Sequence, residues 1–237
     1  MPADRVGKRL IRRSCASRAT PAVAVFARAP VPGKTKTRLI PMLGANGAAE
    51  LHRALVFDAL HKVGKLKARA DLYLFISGGE FPDETVPGVF EVRRQQGREL
   101  AQRLDRAFAD LLARHPRAII IGTDSPQLPP STLRLALEEL QTMDAVLSPC
   151  PDGGFYLIGL RRTARGLFNS VRMGTGFAFR DMLGNLLARG FSCSMLELYP
   201  DIDRPQDLAA LKKSLAENPG LRRLMPHTRQ FLAKRPK

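Results

Sequence analysis

The chain has 237 residues, and its hydrophobic fraction of 44% is enough for the core of one large domain or two small ones. No apolar run reaches the roughly 18 to 20 residues of a membrane-spanning helix, so the sequence predicts no membrane span. The net charge of +16 is concentrated in residues 1–20 and 221–237, the chain has no Trp, and no nucleic-acid-binding motif is present, which argues against a specific nucleic-acid partner.

Apolar runs and amphipathic stretches alternate along the chain. The continuous apolar run at 22–27 predicts a strand that is buried on both faces. The spacing of Leu51, Leu55 and Ala59 predicts a helix over 46–66 with Asn46 as its cap. The other predicted elements are, in chain order, strands at 71–77 and 89–95, a helix from Leu100 to near His115, a strand at 117–124, a helix at 130–140, strands at 144–150 and 154–160, a helix at 176–189, a strand at 192–199 and a helix at 204–217.

This alternation predicts a three-layer α/β/α sandwich with a mainly parallel, Rossmann-like sheet. One domain is expected over 21–217, with a basic, disordered extension at 1–20 and a basic tail at 218–237. The three cysteines are far apart and lack zinc-type spacing, which favours a reduced, cytoplasmic setting. Ligands of such sheets bind beyond the carboxyl ends of the strands, so the loops at that edge are the candidate site.

The loop after the first predicted strand contains Gly33-Lys34-Thr35, which looks like the end of a P-loop. The first glycine of a P-loop would have to stand at position 28, which is Arg28. Pro30 and Pro32 also remove two of the backbone N–H donors on which such a loop depends. The sequence therefore excludes a P-loop.

The same loop carries four cations, Arg28, Lys34, Lys36 and Arg38, within eleven residues. Arginine offers a planar fork to phosphate oxygens, and lysine offers a mobile point charge. The loop is therefore either a side-chain clamp for phosphate or a solvated basic loop, and the spacing alone leaves both open.

Three later loops carry carboxylates. Asp124 follows the apolar run 118–121 and could hold a divalent cation or open a turn. Asp152 precedes Gly153-Gly154 and could act in the site or belong to an ordinary Asp-Gly turn. Asp203, in a D-x-D with Asp201, could bind a metal ion or cap the last helix. The four histidines are expected on helices or in the tail, away from these motifs.

Four motifs in order resemble a known family. They are Phe26-Ala-Arg-Ala-Pro-Val-Pro-Gly-Lys-Thr-Lys-Thr-Arg-Leu39, Gly122-Thr-Asp-Ser-Pro126, Pro151-Asp-Gly-Gly-Phe-Tyr-Leu-Ile-Gly-Leu160 and Asp201-Ile-Asp203. This series resembles the glycosyltransferase-A-like family of unknown function, a "transferase 1" type found with radical-SAM or selenodomain genes. That family lies within the nucleotide-diphospho-sugar transferase superfamily. The motifs span about 22–210, so the resemblance implies that fold for nearly the whole predicted domain.

The resemblance also implies roles for individual residues. Asp124 and Asp152 would be catalytic, Asp124 and Asp203 would be metal ligands, and Gly153, Gly154 and Thr175 would lie on the acceptor side. The residues implied in binding the nucleotide and its phosphates are Arg28, Lys34, Lys36, Thr37, Arg38, Gln96, Gly97 and Arg103. The chain departs from the family pattern at Glu99, where Asp is usual, and at Ala101, where Gly is usual.

The implied activity is a metal-dependent glycosyl transfer from a nucleotide-diphospho-sugar to a small-molecule acceptor, with Mg²⁺ or Mn²⁺ as the cofactor. The first alternative is a guanylyltransferase-like nucleotidyl transfer from a nucleoside triphosphate to a phosphorylated small molecule. The second is a nucleotide-binding protein without catalysis. The sequence does not identify the sugar, the base, the acceptor or the oligomeric state.

Overall fold

The computed structural model describes residues 20–81 and 86–234, so the predicted extension lies, apart from Thr20, outside the described residues. Seven strands form one sheet. In chain order they are Ala22–Arg28 (β1), Asp71–Ser77 (β2), Phe90–Arg94 (β3), Ala118–Ile121 (β4), Ala145–Pro149 (β5), Phe155–Leu160 (β6) and Cys193–Met195 (β7). Their spatial order is β3-β2-β1-β4-β6-β5-β7.

The sheet is mainly parallel, as the alternation of predicted elements indicated. Neighbouring strands run parallel except where β6 pairs antiparallel with β4 and with β5. Because β6 runs against its neighbours, its first residues lie at the edge where the other strands end. The loops that follow β1 and β4 and the loop that joins β5 to β6 therefore meet at one edge of the sheet.

Seven helices flank the sheet. They are Ile40–Gly64 (α1), Leu100–Leu112 (α2), Pro130–Glu139 (α3), Ala178–Ala188 (α4), Pro205–Glu217 (α5), Pro219–Leu224 (α6) and Pro226–Ala233 (α7). None of the helices in the described ranges is long and apolar enough to cross a membrane.

The first helix begins earlier than predicted. A 3-10 turn over Thr37–Leu39 leads directly into α1, and Pro41 occupies its first turn. Proline suits this place because the N–H it lacks would have no partner inside the helix. A kink at Gly44, whose φ is 71°, separates this first turn from the regular helix, so the predicted start at Asn46 corresponds to the regular part.

Alternate residues of β1 show the three layers. Val23 and Val25 are fully buried in a core that includes Leu60 of α1. Ala24 and Phe26 belong to a second core, with Phe108 of α2, on the opposite face of the sheet. Helices thus cover both faces, which confirms the predicted sandwich.

The C-terminal segment differs from the predicted tail. Residues 219–233 form α6 and α7, and α7 packs on α1. Met225 and Phe231 are buried in a third core, together with Leu51 and Leu55 of α1. Arg222, Arg223 and Arg229 are exposed on these short helices, whereas the apolar residues between them pack in the core shared with α1.

Candidate functional site

A cleft of about 350 Å³ lies at the edge of the sheet where β1 and β4 end and β6 begins. Leu100 and Leu104 of α2 form one apolar wall, and Phe26 and Tyr156 contribute aromatic surface. The charged side chains that line the cleft are Arg28, Asp124, Asp152 and Asp201. The structure thus brings together the predicted phosphate loop after β1, the loops of the predicted catalytic residues Asp124 and Asp152, and the loop with the D-x-D that precedes α5.

Asp124 reaches the cleft because β4 stops at Ile121. The amide of Gly122 still donates to the carbonyl of Tyr156 at 2.9 Å, after which the chain turns away from the sheet. The backbone oxygen of Asp124 accepts a hydrogen bond from the amide of Ile202 at 2.8 Å, which joins this loop to the one before α5. The carboxylate of Asp124 remains half exposed to solvent.

Lys36 is a buried cation beside Asp124. Its backbone has φ 47° and ψ 44°, a left-handed conformation that is uncommon for lysine. Its Nζ lies 2.7 Å from Oδ1 of Asp124 and donates to the carbonyl of Ile202 at 2.5 Å, with only 3% of the side chain exposed. Burial by itself would raise the pKa of Asp124, but the charge and hydrogen bond of Lys36 outweigh it and lower that pKa. The carboxylate of Asp124 is therefore ionised at neutral pH.

The other cations of the first loop have separate surroundings. Arg28 lines the cleft, and its Nη1 donates to the carbonyl of Lys34 at 3.0 Å, which restrains the guanidinium. Lys34 is exposed, as is Thr37 in the 3-10 turn. Arg38 forms an ion pair with Asp203. Of the four cations predicted to clamp phosphate, Arg28 lines the cleft. Lys36 does not line it but forms an ion pair with Asp124, which does.

Asp203 has a different role from either of those predicted. Its carboxylate pairs with Arg38. The first turn of α5 is capped by Asp207, whose Oδ2 accepts from the amides of Asp203 and Arg204 at 3.0 and 2.6 Å. The prediction of Asp203 as the cap is therefore wrong, because Asp207 supplies the carboxylate.

Asp152, Gly153 and Gly154 form a tight turn at the mouth of the cleft. The amide of Gly154 donates to Oδ1 of Asp152 at 2.8 Å, so the carboxylate both lines the cleft and closes the turn. Gly153 has φ 83°, and a Cβ placed on it would lie 2.2 Å from the carbonyl oxygen of Gly176. Glycine is required there by both the conformation and the space. Thr175 is exposed, and its hydroxyl donates to the carbonyl of Arg172 at 2.7 Å.

Asp201 and His52 also line the cleft, although neither was predicted as a site residue. Burial raises the pKa of Asp201, and the charges of Asp152 and Asp124 raise it further. His52 interacts through Nε2 with the carbonyl of Arg28 at 2.9 Å, and burial lowers its pKa, so the ring is neutral at pH 7. The expectation that the histidines lie away from the motifs is wrong for His52. The D-x-D at 201–203 was the available signal for Asp201.

The predicted nucleotide residues Gln96 and Arg103 line a second cleft, of about 420 Å³, with Arg93, Arg94 and Arg106. Arg103 and Arg106 lie on a different face of α2 from Leu100 and Leu104, so the helix stands between the two clefts. Arg103 donates from Nε to the carbonyl of Gly97 at 2.9 Å, an approach that the φ of 132° at Gly97 allows. Gln96, Gly97 and Arg103, all predicted to bind the nucleotide, are therefore not among the residues that line the cleft with Asp124.

The carboxylates that line the first cleft are suitable ligands for a divalent cation. Asp124, Asp152 and Asp201 line one cavity, and their oxygens are the donors that Mg²⁺ and Mn²⁺ accept. Within the described ranges, no three His, Cys, Asp or Glu side chains are close enough to hold an ion by themselves. Mg²⁺ commonly takes one or two carboxylates and fills its remaining positions with phosphate and water. The donor set fits that mode. Asp203, also predicted as a ligand, is paired with Arg38 and is not among the residues that line the cleft.

Comparison with known proteins agrees with this fold. Residues 60–175 match the model of a family described as "Uncharacterized protein conserved in bacteria (DUF2064)". No match was found among curated proteins.

Among solved structures, the chain resembles a "putative nucleotide-diphospho-sugar transferase" from Desulfovibrio desulfuricans G20. The two are 28% identical with a TM-score of 0.81, and the match covers 90% of this chain and 95% of the other.

Two more distant structures share the fold. One is the 4-diphosphocytidyl-2C-methyl-D-erythritol synthase of Anaerococcus prevotii DSM 20548, at 10% identity and TM-score 0.56, covering 84% of this chain and 99% of that one. The other is a CMP:2-keto-3-deoxy-manno-octonic acid synthetase in complex with CTP, at 12% identity and TM-score 0.53, with the same coverage. The match of residues 60–175 to the DUF2064 family and the shared fold agree with the resemblance predicted from the motifs: the chain has the fold of the nucleotide-diphospho-sugar transferases.

Proposed function

We propose that this protein is a transferase that binds a nucleotide-diphospho-sugar in the cleft lined by Arg28 and Asp124 and passes the sugar to a small-molecule acceptor. The observation that carries the proposal is that a restrained guanidinium and three carboxylates line one cleft at the carboxyl edge of the sheet, and that one of these carboxylates is paired with a buried ammonium. The likeness to the Desulfovibrio protein supports it.

Arg28 and Lys36 supply the positive charge for the diphosphate. The guanidinium of Arg28 is held by the carbonyl of Lys34, so little freedom is lost when it binds phosphate oxygens. Lys36 is fixed by Asp124 and Ile202 and needs no rearrangement to stabilise the charge that develops on the leaving nucleoside diphosphate. A divalent cation, when bound, would neutralise further phosphate charge, with Asp124 and Asp152 as its protein ligands.

The two carboxylates proposed to face the acceptor, Asp152 and Asp201, differ in their surroundings. Oδ1 of Asp152 accepts a hydrogen bond from the amide of Gly154, so this carboxylate already serves to close the turn. Asp201 has its pKa raised by burial and by its two carboxylate neighbours, which makes it the better proton acceptor for an acceptor hydroxyl. We therefore assign the general base to Asp201 rather than to Asp152.

Product analysis tests the reaction class. The full chain would be incubated with a panel of nucleotide sugars or nucleoside triphosphates and candidate acceptors, with Mn²⁺ or with EDTA. Sugar transfer releases a nucleoside diphosphate or monophosphate, whereas nucleotidyl transfer releases pyrophosphate. Release of pyrophosphate would replace glycosyl transfer with nucleotidyl transfer, and nucleotide binding without any product would assign a binding function.

A further inference from the structure

Two charged side chains on α1, Asp58 and Lys62, are almost completely buried. Asp58 is 0% and Lys62 2% exposed, and they stand one helical turn apart. A buried charge costs several kcal/mol unless partners compensate it. The partners of these two residues lie in different parts of the chain.

Asp58 holds the beginning of α7. Its two carboxylate oxygens accept hydrogen bonds from the amides of His227 and Thr228, both at 2.9 Å. These amides belong to the first turn of α7, where backbone N–H groups have no partner within the helix. A carboxylate from α1 therefore caps a helix more than 160 residues away in sequence, and its charge suits the positive end of that helix.

Lys62 holds the loop that carries Asp124. Its Nζ donates to the carbonyl of Pro126 at 2.8 Å, and the bond is buried. Pro126 is two residues beyond Asp124, whose own backbone oxygen accepts from Ile202 in the loop before α5. The loop is thus fastened from α1 on one side and from the 201–203 loop on the other.

We propose that Lys62 is a positioning residue for the Asp124 loop, and that α7, through Asp58 on the same turn of α1, is part of the support of the cleft. This inference depends on the proposed function in one respect only, namely that Asp124 is part of the functional site. A lysine whose task was packing could be replaced by an apolar residue of similar length without effect on this loop. A positioning lysine could not, because Pro126 would lose its buried donor.

The test is amide hydrogen exchange on the full-length protein without ligand, with Lys62→Met as the first variant. Methionine is similar in length but has no donor and no charge, so removal of the buried charge offsets the lost bond in global stability. We expect the amide of Ile202, which bonds to Asp124, to exchange about tenfold faster, the size expected from the loss of one hydrogen bond. Val63→Ala, a cavity at the next position of α1, is the matched control for general loosening.

Asp58→Asn tests the link to α7. It removes one acceptor oxygen, so the amides of His227 and Thr228 should exchange faster, and Ile202 should follow to a smaller extent. The proposal is overturned if Ile202 is unchanged in Lys62→Met, or if Val63→Ala accelerates it equally. If the exchange rate of the Ile202 amide is unchanged in Asp58→Asn, the part of the proposal that assigns α7 to the support of the cleft is wrong. None of these readouts needs a nucleotide, so failure of the proposed function would be seen separately.

Discussion

The ion pair between Lys36 and Asp124 is unequal, because the lysine is buried and the aspartate is half exposed. Asp124→Ala leaves a buried ammonium with only the carbonyl of Ile202, and we expect it to lower the free energy of unfolding by about 3 kcal/mol. Lys36→Met leaves a carboxylate that water can reach, and we expect a loss of about 1 kcal/mol. Urea unfolding at pH 7 measures both, and a larger loss in Lys36→Met would contradict this view of the pair.

Because Lys62 is buried, we expect the free energy of unfolding to change with pH in the alkaline range. Burial lowers its pKa from 10.5 to about 8, although Asp58 opposes the shift. Between these two values the unfolded chain holds a proton that the native chain has lost, so the free energy of unfolding rises with pH, by about 3 kcal/mol in all. Titration of buried tyrosines changes stability in the same range, so the quantity to measure is the difference between wild type and Lys62→Met. A pH-independent difference would contradict the prediction.

At the scale of residues, the sequence predicted the positions of the charges but not their pairing. Spacing placed Lys36, Arg38, Asp124 and Asp203 in loops at one edge of the sheet. Which cation meets which carboxylate depends on how loops more than 80 residues apart pack. His52 was missed for a similar reason, since it lies beside the apolar stripe of α1 and its partner is a backbone carbonyl that leaves no pattern in the sequence.

The turn before β6 depends on glycine. At Gly153 a methyl group would collide with the carbonyl of Gly176, and its φ of 83° is itself unfavourable for alanine. We expect Gly153→Ala to cost about 2 kcal/mol or more and to disturb the mouth of the cleft. Gly184→Ala is the control, because Gly184 lies inside α4 with open space around it and should gain about 0.5 to 1 kcal/mol. Thermal melting of both variants tests this, and equal melting temperatures would contradict it.

At the scale of elements, long periodic stretches were predictable and short ones were not. The alternation of apolar runs with amphipathic stretches located the strands. The five inner strands of the sheet are mostly buried, whereas the edge strands β3 and β7 are largely exposed. The helices α6 and α7 have only six and eight residues, and their basic composition suggested a solvated tail. Their stability comes from contacts with α1 and from Asp58, which local sequence does not show.

For the whole molecule, the order of the motifs predicted the fold, because three of the four motifs lie where β1 and β4 end and where β6 begins. The edge of the sheet followed from that topology, and the cleft lies there. The motif around Gln96 and Arg103 did not predict the location of these residues, since they line a cleft on another face of α2 and not the cleft with Asp124. A shift of one residue along a helix moves a side chain to a different face, and a motif match does not show which face a residue occupies.

The central claim is that the cleft lined by Arg28 binds a nucleotide. Thermal melting of the full chain with a panel of nucleotide sugars and nucleoside triphosphates, each with and without Mn²⁺, tests it most directly. A ligand at 100 times its Kd adds about 2.7 kcal/mol, which a melting curve detects. We predict that at least one nucleotide sugar raises the melting temperature, that Arg28→Ala abolishes the rise, and that Arg229→Ala, at an exposed arginine of α7, preserves it. No rise with any nucleotide, or an undiminished rise in Arg28→Ala, would contradict the claim.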